Sequence, residues 1–198
     1  MDDVFVEAGL ALILFVGTNI DDVFILLAFF SDRRYQAPAV IAGQYAGILA
    51  LTLGSILLSL FVKTVPGGYA GLLGLIPLGM GIKKLFEKEQ PDEEAAASRG
   101  AGRPAAGLSV AAVTIANGGD NVGVYVPVFA TKPAATLMFY LVIFCFLTAA
   151  WCGLALYLVN HRSIGAHIRR FGPPFIPWVF IGLGVYIMYD SDLIGLVR

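Results

Sequence analysis

The sequence predicts an all-α membrane protein with six transmembrane helices, arranged as two inverted three-helix repeats with both termini outside. Three observations lead to this fold class. Apolar residues make up 58% of the chain and charged residues only 14%, whereas globular proteins carry nearer to 25% charged residues. Long apolar stretches recur along the chain, and its two halves carry related polar motifs inside those stretches.

Six apolar stretches come close to the roughly 20 residues that a helix needs to cross the hydrocarbon core of a bilayer. They cover residues 5–30, 38–61, 66–86, 108–130, 134–159 and 173–190. The first is about 26 residues long, which exceeds the apolar region of a cleavable signal peptide. We therefore predict that it is the first membrane helix.

The longest polar segment divides the chain into two parts. Residues 88–107 are rich in charged residues, Ala, Gly and Pro, and offer little apolar surface to bury. This composition is typical of a flexible linker. The predicted organisation is a first three-helix repeat at residues 1–87, a cytoplasmic linker at 88–107 and a second three-helix repeat at 108–198.

The distribution of Lys and Arg indicates the orientation, because cytoplasmic loops carry an excess of these residues. With the N-terminus outside, ten of them fall on the cytoplasmic side. Only Lys63, Lys132 and Arg198 fall on the outer side. The pattern therefore predicts that both termini are outside and that the linker is cytoplasmic.

The first helix of each predicted repeat contains an Asn-x-x-Asp motif. Asn19 precedes Asp22 in the first repeat, and Asn117 precedes Asp120 in the second. Because each repeat has an odd number of helices, the two repeats would insert in opposite orientations. Inverted repeats of this kind are common among secondary transporters, which bind their substrates near the bilayer midplane.

Three carboxylates, Asp21, Asp22 and Asp120, lie within the apolar stretches. An Asp at the bilayer centre costs roughly 2.5–3.5 kcal/mol on insertion scales, and such residues usually mark an ion or substrate path. Apart from Lys83 and Lys84, which end the third stretch and are assigned to the cytoplasmic side, the predicted helices contain no Lys or Arg that would neutralise them. We therefore expect a mobile cation, either a proton or a metal ion, to balance their charge.

Helical spacing groups polar side chains around the first motif. Asn19 and Asp22 are three residues apart and would share one face of a continuous helix. Thr18 lies three residues before Asp21 and four before Asp22. This face would thus present hydroxyl, amide and carboxylate oxygens to a common point.

The second motif has a similar arrangement. Thr114, Asn117 and Asn121 fall on one face of their helix, with Asp120 beside them. The pair that follows Asn117, Gly118-Gly119, would loosen the helix and free backbone carbonyls, as in the broken helices of transporters. We expect the two oxygen-rich faces to meet near the midplane, with Thr18, Thr114, Gln44 and Tyr45 as path-lining residues.

Several function classes are excluded. The sequence contains no nucleotide-binding loop, no His-Glu-x-x-His motif and no Ser-His-Asp pattern, so we predict neither an enzyme nor a cofactor. A formal net charge of -1 argues against nucleic acid as a partner. Transport by this chain would have to run on ion gradients.

The segments Gly17–Asp22 and Ala116–Asn121, with Gly43–Tyr45 and Gly74–Pro77 in support, resemble the cadmium resistance transporter family, CadD-type, of the lysine exporter superfamily. The resemblance covers nearly the whole chain apart from the linker. It implies multi-pass insertion in the plasma membrane of a prokaryote and efflux of Cd²⁺, with Zn²⁺ or Mn²⁺ as related substrates. The candidate metal ligands that it implies are Asn19, Asp21, Asp22, Asn117, Asp120 and Asn121.

The resulting hypothesis is a divalent-cation exporter that works by alternating access and exchanges metal for protons. Its partners would be the lipid bilayer, the metal substrate and protons. Glycine-rich surfaces on the third and sixth helices would permit a homodimer. Carboxylate and amide oxygens suit Mg²⁺, Ca²⁺ or Mn²⁺ better than soft Cd²⁺, but an exporter tolerates weak binding because it must release the ion.

Two alternatives stay open at this stage. The first is an amino-acid exporter, which would need a cationic or helix-end partner for the substrate carboxylate. The second is a membrane metal sensor or scaffold that binds metal without transporting it. Competition of metal binding by lysine would favour the first alternative, and saturable metal binding without flux would favour the second.

Overall fold

The computed structural model describes residues 2–64, 72–86, 106–161 and 176–190. Within these ranges the chain forms helices and short turns, and no strand occurs. The helices are α1 (Asp2–Asn19), α2 (Asp22–Ser31), α3 (Ala37–Val62), α4 (Leu75–Phe86), α5 (Ala106–Asn117), α6 (Gly119–Thr131), α7 (Ala134–Asn160) and α8 (Ile176–Asp190).

The described helices correspond to the predicted stretches, but two stretches are divided: 108–130 into α5 and α6, at the glycine pair, and 5–30 unexpectedly. Helix α4 covers only residues 75–86 of the stretch 66–86; residues 66–71 of that stretch and 173–175 of the last stretch lie outside the described part of the chain. Helices α3 and α7 agree with the stretches 38–61 and 134–159 to within one residue at each end. The stretch 5–30 is not one helix but two, α1 and α2, whose axes differ by 59°. The predicted linker 88–107 lies outside the described residues except for its last two positions.

Two of the described helices, α3 and α7, are each long and apolar enough to cross a membrane, and α1 with α2 would make a third span. Only about a third of the most apolar part of α3 and α7 is buried inside the protein, 33% and 28% respectively. Large apolar side chains such as Leu57, Phe61 and Phe146 point outward. The six-span topology and the inverted repeat stay predictions.

Helix α3 packs along α5 and continues along α6. Gly43 of α3 faces Gly107, and a Cβ on Gly47 would come within 2.6 Å of the Cβ of Thr114. One turn further on, Leu51 fills the space beside Gly118. The absence of side chains at these positions lets the two backbones approach closely, which brings the polar residues of α3 next to the second motif.

Helices α4 and α8 form a second close pair, also through glycines. A Cβ on Gly184 would lie 2.7 Å from the carbonyl oxygen of Gly74, and one on Gly81 would lie 2.7 Å from that of Pro177. These glycines belong to the surfaces on which the predicted homodimer depends, and the fold uses them inside one chain. The homodimer itself stays a prediction.

We expect Gly81→Ala to lower the melting temperature of the detergent-solubilised protein, because its methyl group would overlap the backbone of α8. Overpacking of this kind costs about 1–3 kcal/mol. Gly79→Ala is the matched control, since nothing lies within 4 Å of a Cβ there and Ala favours a helix over Gly by about 1 kcal/mol. Equal melting temperatures for the two variants would contradict the close packing of α4 and α8.

One end of the bundle is closed by charged groups and aromatic rings. Lys132 Nζ donates to Glu7 Oε1 and to the Tyr186 hydroxyl, each at 2.9 Å. Glu7 also accepts from Tyr140, and Lys63 donates to the Lys132 carbonyl oxygen. This Glu7–Lys132 end therefore ties together helices α1, α3, α7 and α8 and the turn before α7.

An aromatic layer lies next to the Glu7–Lys132 end. The rings of Phe15, Tyr125 and Phe144 are mutually packed, with Phe144 centroids 5.4 Å from Phe15 and 5.0 Å from Tyr125. Phe129 and Tyr140 extend the layer towards Glu7. All five side chains are buried, so this layer separates the polar interior from the Glu7–Lys132 end.

Candidate functional site

The first break places two carboxylates at a helix start. Helix α1 ends at Asn19 and α2 begins at Asp22. Asp21 stands between them as the N-cap, and its Oδ1 accepts from the backbone N–H of Asp22 at 3.1 Å. Asp is among the preferred N-cap residues because its oxygen satisfies an otherwise unpaired N–H. The break thus fixes Asp21 and Asp22 at the positive end of a helix dipole.

The second break lies at Gly118, between α5 and α6, where the sequence suggested it. The backbone N–H of Gly118 donates to the Ile115 carbonyl at 3.1 Å, a tighter turn than the α-helix makes. A Cβ at this position would overlap the end of the Leu51 side chain, so a larger residue here would require Leu51 to move. Asn117 therefore ends α5, Gly119 begins α6, and Asp120 lies in the first turn of α6.

The two breaks meet in a carboxylate cluster, which consists of Asp21, Asp22, Gln44, Thr114 and Asn117. The Asn117 Nδ2 group lies between the two carboxylates, 3.3 Å from Asp21 Oδ2 and 3.2 Å from Asp22 Oδ1. Gln44 Nε2 donates to Asp22 Oδ2 at 2.8 Å, and Thr114 Oγ1 donates to Gln44 Oε1 at 2.7 Å. Asp22 is only 4% exposed, so its charge depends on these partners.

A second group of polar side chains, the amide–tyrosine cluster, consists of Thr18, Asn19, Asn121 and Tyr125. Asn121 Nδ2 donates to Asn19 Oδ1 at 2.9 Å. The Tyr125 hydroxyl lies 2.9 Å from Thr18 Oγ1, 3.0 Å from Asn19 Nδ2 and 3.2 Å from Asn121 Nδ2. All four side chains are buried. Buried polar groups with this many partners hold the surrounding helices in one arrangement.

Helix α7 supports the first break from outside both clusters. Trp151 Nε1 donates to the backbone carbonyl of Asn19 at 2.6 Å. That carbonyl belongs to the last residue of α1 and has no partner within its own helix. The Trp151 ring also packs edge-on against Phe15, with centroids 5.5 Å apart. The indole thus stabilises the end of α1 at the break.

Asp120 is not in the carboxylate cluster; it forms an ion pair with Lys84 of α4. The two side chains are 25% and 28% exposed. The expectation that no Lys or Arg would neutralise the carboxylates is therefore wrong for Asp120. It rested on assigning Lys84 to the cytoplasmic side, whereas its long, flexible side chain reaches Asp120 at the start of α6. Lys84 is also a cation beside the site, which is the kind of partner that the carboxylate of an amino-acid substrate would need.

The predicted site residues thus fall into three places. Thr18, Asn19 and Asn121 lie in the amide–tyrosine cluster, and Asp120 lies beside Lys84. The remaining predicted residues except Tyr45 lie in the carboxylate cluster: Asp21, Asp22, Gln44, Thr114 and Asn117. Tyr45 has a different partner, since its hydroxyl donates to the Cys145 carbonyl at 2.9 Å. The same-face argument for Asn19 and Asp22 is wrong, because the break turns them to different partners.

In the described part of the chain, no three His, Cys, Asp or Glu side chains lie close enough together to hold a metal ion. The carboxylates are contacted instead by amide N–H donors, those of Gln44 and Asn117. The Asn117 Nδ2 group sits where a cation bridging Asp21 and Asp22 would sit. Rotation of an amide by half a turn exchanges its donor for its acceptor, so Asn117 and Gln44 can each present an oxygen to an incoming cation.

Three contributors to the site were not predicted: Lys84, Tyr125 and Trp151. Tyr125 carried a signal in the sequence, because it follows Asn121 by four residues and therefore shares its helix face. Lys84 and Trp151 carried none, since each contacts the site from a helix distant in sequence. Outside the helices, the hydrogen bond from Arg34 lowers the pKa of Asp32, a partly exposed carboxylate that belongs to neither cluster.

Two helices long enough to cross a membrane, α3 and α7, pack beside two broken helices whose buried carboxylates and amides meet in the interior. This combination is typical of one class, the helical membrane transport proteins. The family model for the cadmium resistance transporter matches residues 15–197. The chain belongs to this family. Comparison with curated proteins and with solved structures gave no match. The CadD-type subdivision and the superfamily stay predictions.

Proposed function

We propose that the protein exports Cd²⁺, with Zn²⁺ and Mn²⁺ as related substrates, by alternating access and in exchange for protons. The observation that carries the proposal is the Asn117 amide between Asp21 and Asp22, at the meeting point of two broken helices. A donor held between two carboxylates marks the position that a cation would take. Family membership supports a metal ion as that cation.

The charge of the site supports a divalent ion. When all are ionised, the carboxylates of Asp21, Asp22 and Asp120 with the Lys84 ammonium leave two net negative charges. One divalent cation would neutralise them inside a medium where uncompensated charge is costly. Protons on two carboxylates would neutralise them equally well, which gives a physical basis for exchange of metal against protons.

The ligand chemistry supports transport better than tight storage. Oxygen ligands hold soft metals less firmly than thiolates do, and an exporter must release its ion on the far side. Asp21, Asp22 and Asn117 would be the first ligands, with Asp120 joining them once Lys84 is displaced. The ion would next bind to the amide oxygens of Asn19 and Asn121 and would then pass Tyr125.

The proposal includes the predicted topology: six spans in two inverted repeats, both termini outside, in the plasma membrane of a prokaryote. The equivalent positions of the two breaks, each after the Asn of an Asn-x-x-Asp motif, support the repeat. The contact between Lys63 and the Lys132 turn supports one common side for the residues predicted to lie outside. In that orientation the aromatic layer would close the path between the two polar clusters and the exterior.

The test is metal flux in proteoliposomes that carry the wild-type protein and a proton gradient, with protein-free liposomes as the control. We expect saturable movement of Cd²⁺, weaker movement of Zn²⁺ and Mn²⁺, and a large reduction when an ionophore collapses the gradient. Saturable Cd²⁺ binding without flux would favour a sensor. Displacement of bound Cd²⁺ by millimolar lysine would favour an amino-acid exporter. Either result would contradict the proposal.

A further inference from the structure

Lys84 is a charged residue with no place in the ligand set, yet it contacts that set directly. It lies in the last turn of α4, and its ammonium pairs with the Asp120 carboxylate at the start of α6. The same ammonium lies 5.5 Å from the ring centroid of Phe180 on α8. Lys84 therefore has an acidic partner and an aromatic partner on two different helices.

The Lys84–Asp120 pair belongs to the same electrostatic unit as the carboxylate cluster. Asp120, which pairs with Lys84, follows Asn117 by three residues, and the Asn117 amide contacts both Asp21 and Asp22. The charges of Lys84 and Asp120 therefore act on Asp21. A divalent cation that enters between Asp21 and Asp22 is thus repelled by Lys84. Asp120 cannot act as its ligand while the ammonium occupies the carboxylate.

We propose that Lys84 is a tethered competitor of the transported cation. Without metal, its ammonium occupies Asp120; an arriving divalent ion takes Asp120 and displaces the ammonium towards the face of Phe180. The ammonium then competes with the bound ion for Asp120, and its return to that carboxylate speeds the release of the ion. This inference rests on the proposed function, which it deepens by naming the group that limits affinity and speeds release.

The geometry suits a reversible exchange. Both members of the pair are about one-quarter exposed, and ion pairs with access to a polar medium are weak enough to open and close. Phe180 is fully buried, so its ring is a fixed seat for a displaced ammonium, which aromatic faces attract. The four-carbon stem of Lys lets the charge move between the two partners while the backbone of α4 stays in place.

The variant Lys84→Gln tests the inference because it should bind Cd²⁺ more tightly and yet transport it more slowly. We expect its Cd²⁺ dissociation constant to fall by about tenfold, because a unit charge beside the ion has been removed, and its maximal flux to fall because release slows. Lys84→Arg keeps the charge and should stay close to wild type. Lys83→Gln, one residue away with an exposed side chain, is the matched control and should change neither quantity.

A second measurement uses only the wild-type protein and remains informative if Lys84→Gln does not fold. Because Cd²⁺ would take the Asp120 carboxylate that otherwise holds the ammonium, amine-reactive labelling of Lys84, followed by mass spectrometry, should increase several-fold when Cd²⁺ is added, whereas labelling of Lys83 should not. Wild-type flux together with an unchanged or weaker dissociation constant in Lys84→Gln, or Cd²⁺-independent labelling of Lys84, overturns this inference alone. Absence of both binding and flux in wild type overturns the proposed function first.

Discussion

Replacing Asp22 with asparagine is expected to reduce Cd²⁺ flux in proteoliposomes to the level of protein-free vesicles. Asp22 is 4% exposed and accepts from Gln44 Nε2 at 2.8 Å and from Asn117 Nδ2 at 3.2 Å. The variant removes a unit charge next to the proposed ion. At an effective dielectric of about 20, that charge contributes several kcal/mol per ligand contact, so binding should weaken by about 100-fold or more.

Asparagine and aspartate side chains have nearly the same size and shape, so this variant tests the effect of the charge. Its amide keeps one acceptor oxygen but turns a donor towards Gln44 or Asn117, which is expected to cost about 1–3 kcal/mol of stability unless one amide rotates. Asp32→Asn is the matched control, since Asp32 is partly exposed, paired with Arg34 and outside both clusters. A folded Asp22→Asn protein that moves Cd²⁺ like wild type would remove Asp22 from the site.

The second large effect is expected for Asp120→Asn, which should also abolish flux, but for two reasons. It removes a proposed ligand, and it leaves the Lys84 ammonium without its partner in the field of Asp21. An ammonium that turns to Asp21 would take the place of the metal. Titration calorimetry should therefore find Cd²⁺ binding weakened by about 100-fold or more.

Adding Lys84→Gln to Asp120→Asn separates these two reasons. The double variant removes one negative and one positive charge, so the net charge of the site returns to that of wild type. We expect Cd²⁺ binding to recover by at least about tenfold while flux stays low, because a ligand is still missing. Normal metal efflux by Asp120→Asn alone would overturn the assignment of Asp120 as a ligand. No recovery of Cd²⁺ binding in the double variant would mean that Asp120 acts only as a ligand and not by holding Lys84.

The sequence was most informative where structure is local. Helices α3 and α7 could be predicted almost to the residue, because each is an unbroken apolar run that begins near a proline. The break at Gly118 could be expected from Gly118-Gly119, since glycine weakens a helix. The break before Asp22 was missed because hydropathy averages over roughly 19 residues and does not register a single N-cap such as Asp21.

Contacts between helices that are distant in sequence could not be predicted from residue spacing. Spacing rules relate residues of one helix, so they could group Asn117 with Asn121 but not Lys84 with Asp120. The expectation that the two motifs meet is supported by the contact of Asn117 with Asp21 and Asp22. The division into a carboxylate cluster and an amide–tyrosine cluster depends on the 59° bend, which turns Asn19 and Asp22 apart.

The hydrogen bond between Trp151 and the Asn19 carbonyl has a spectroscopic consequence. The chain contains two Trp residues, and the other, Trp178, is 62% exposed. A Trp178→Phe protein would therefore keep a single tryptophan, held against the break itself. Any motion that straightens α1 into α2 must separate the indole N–H from that carbonyl at 2.6 Å, and the emission of Trp151 would record it in real time without an added dye.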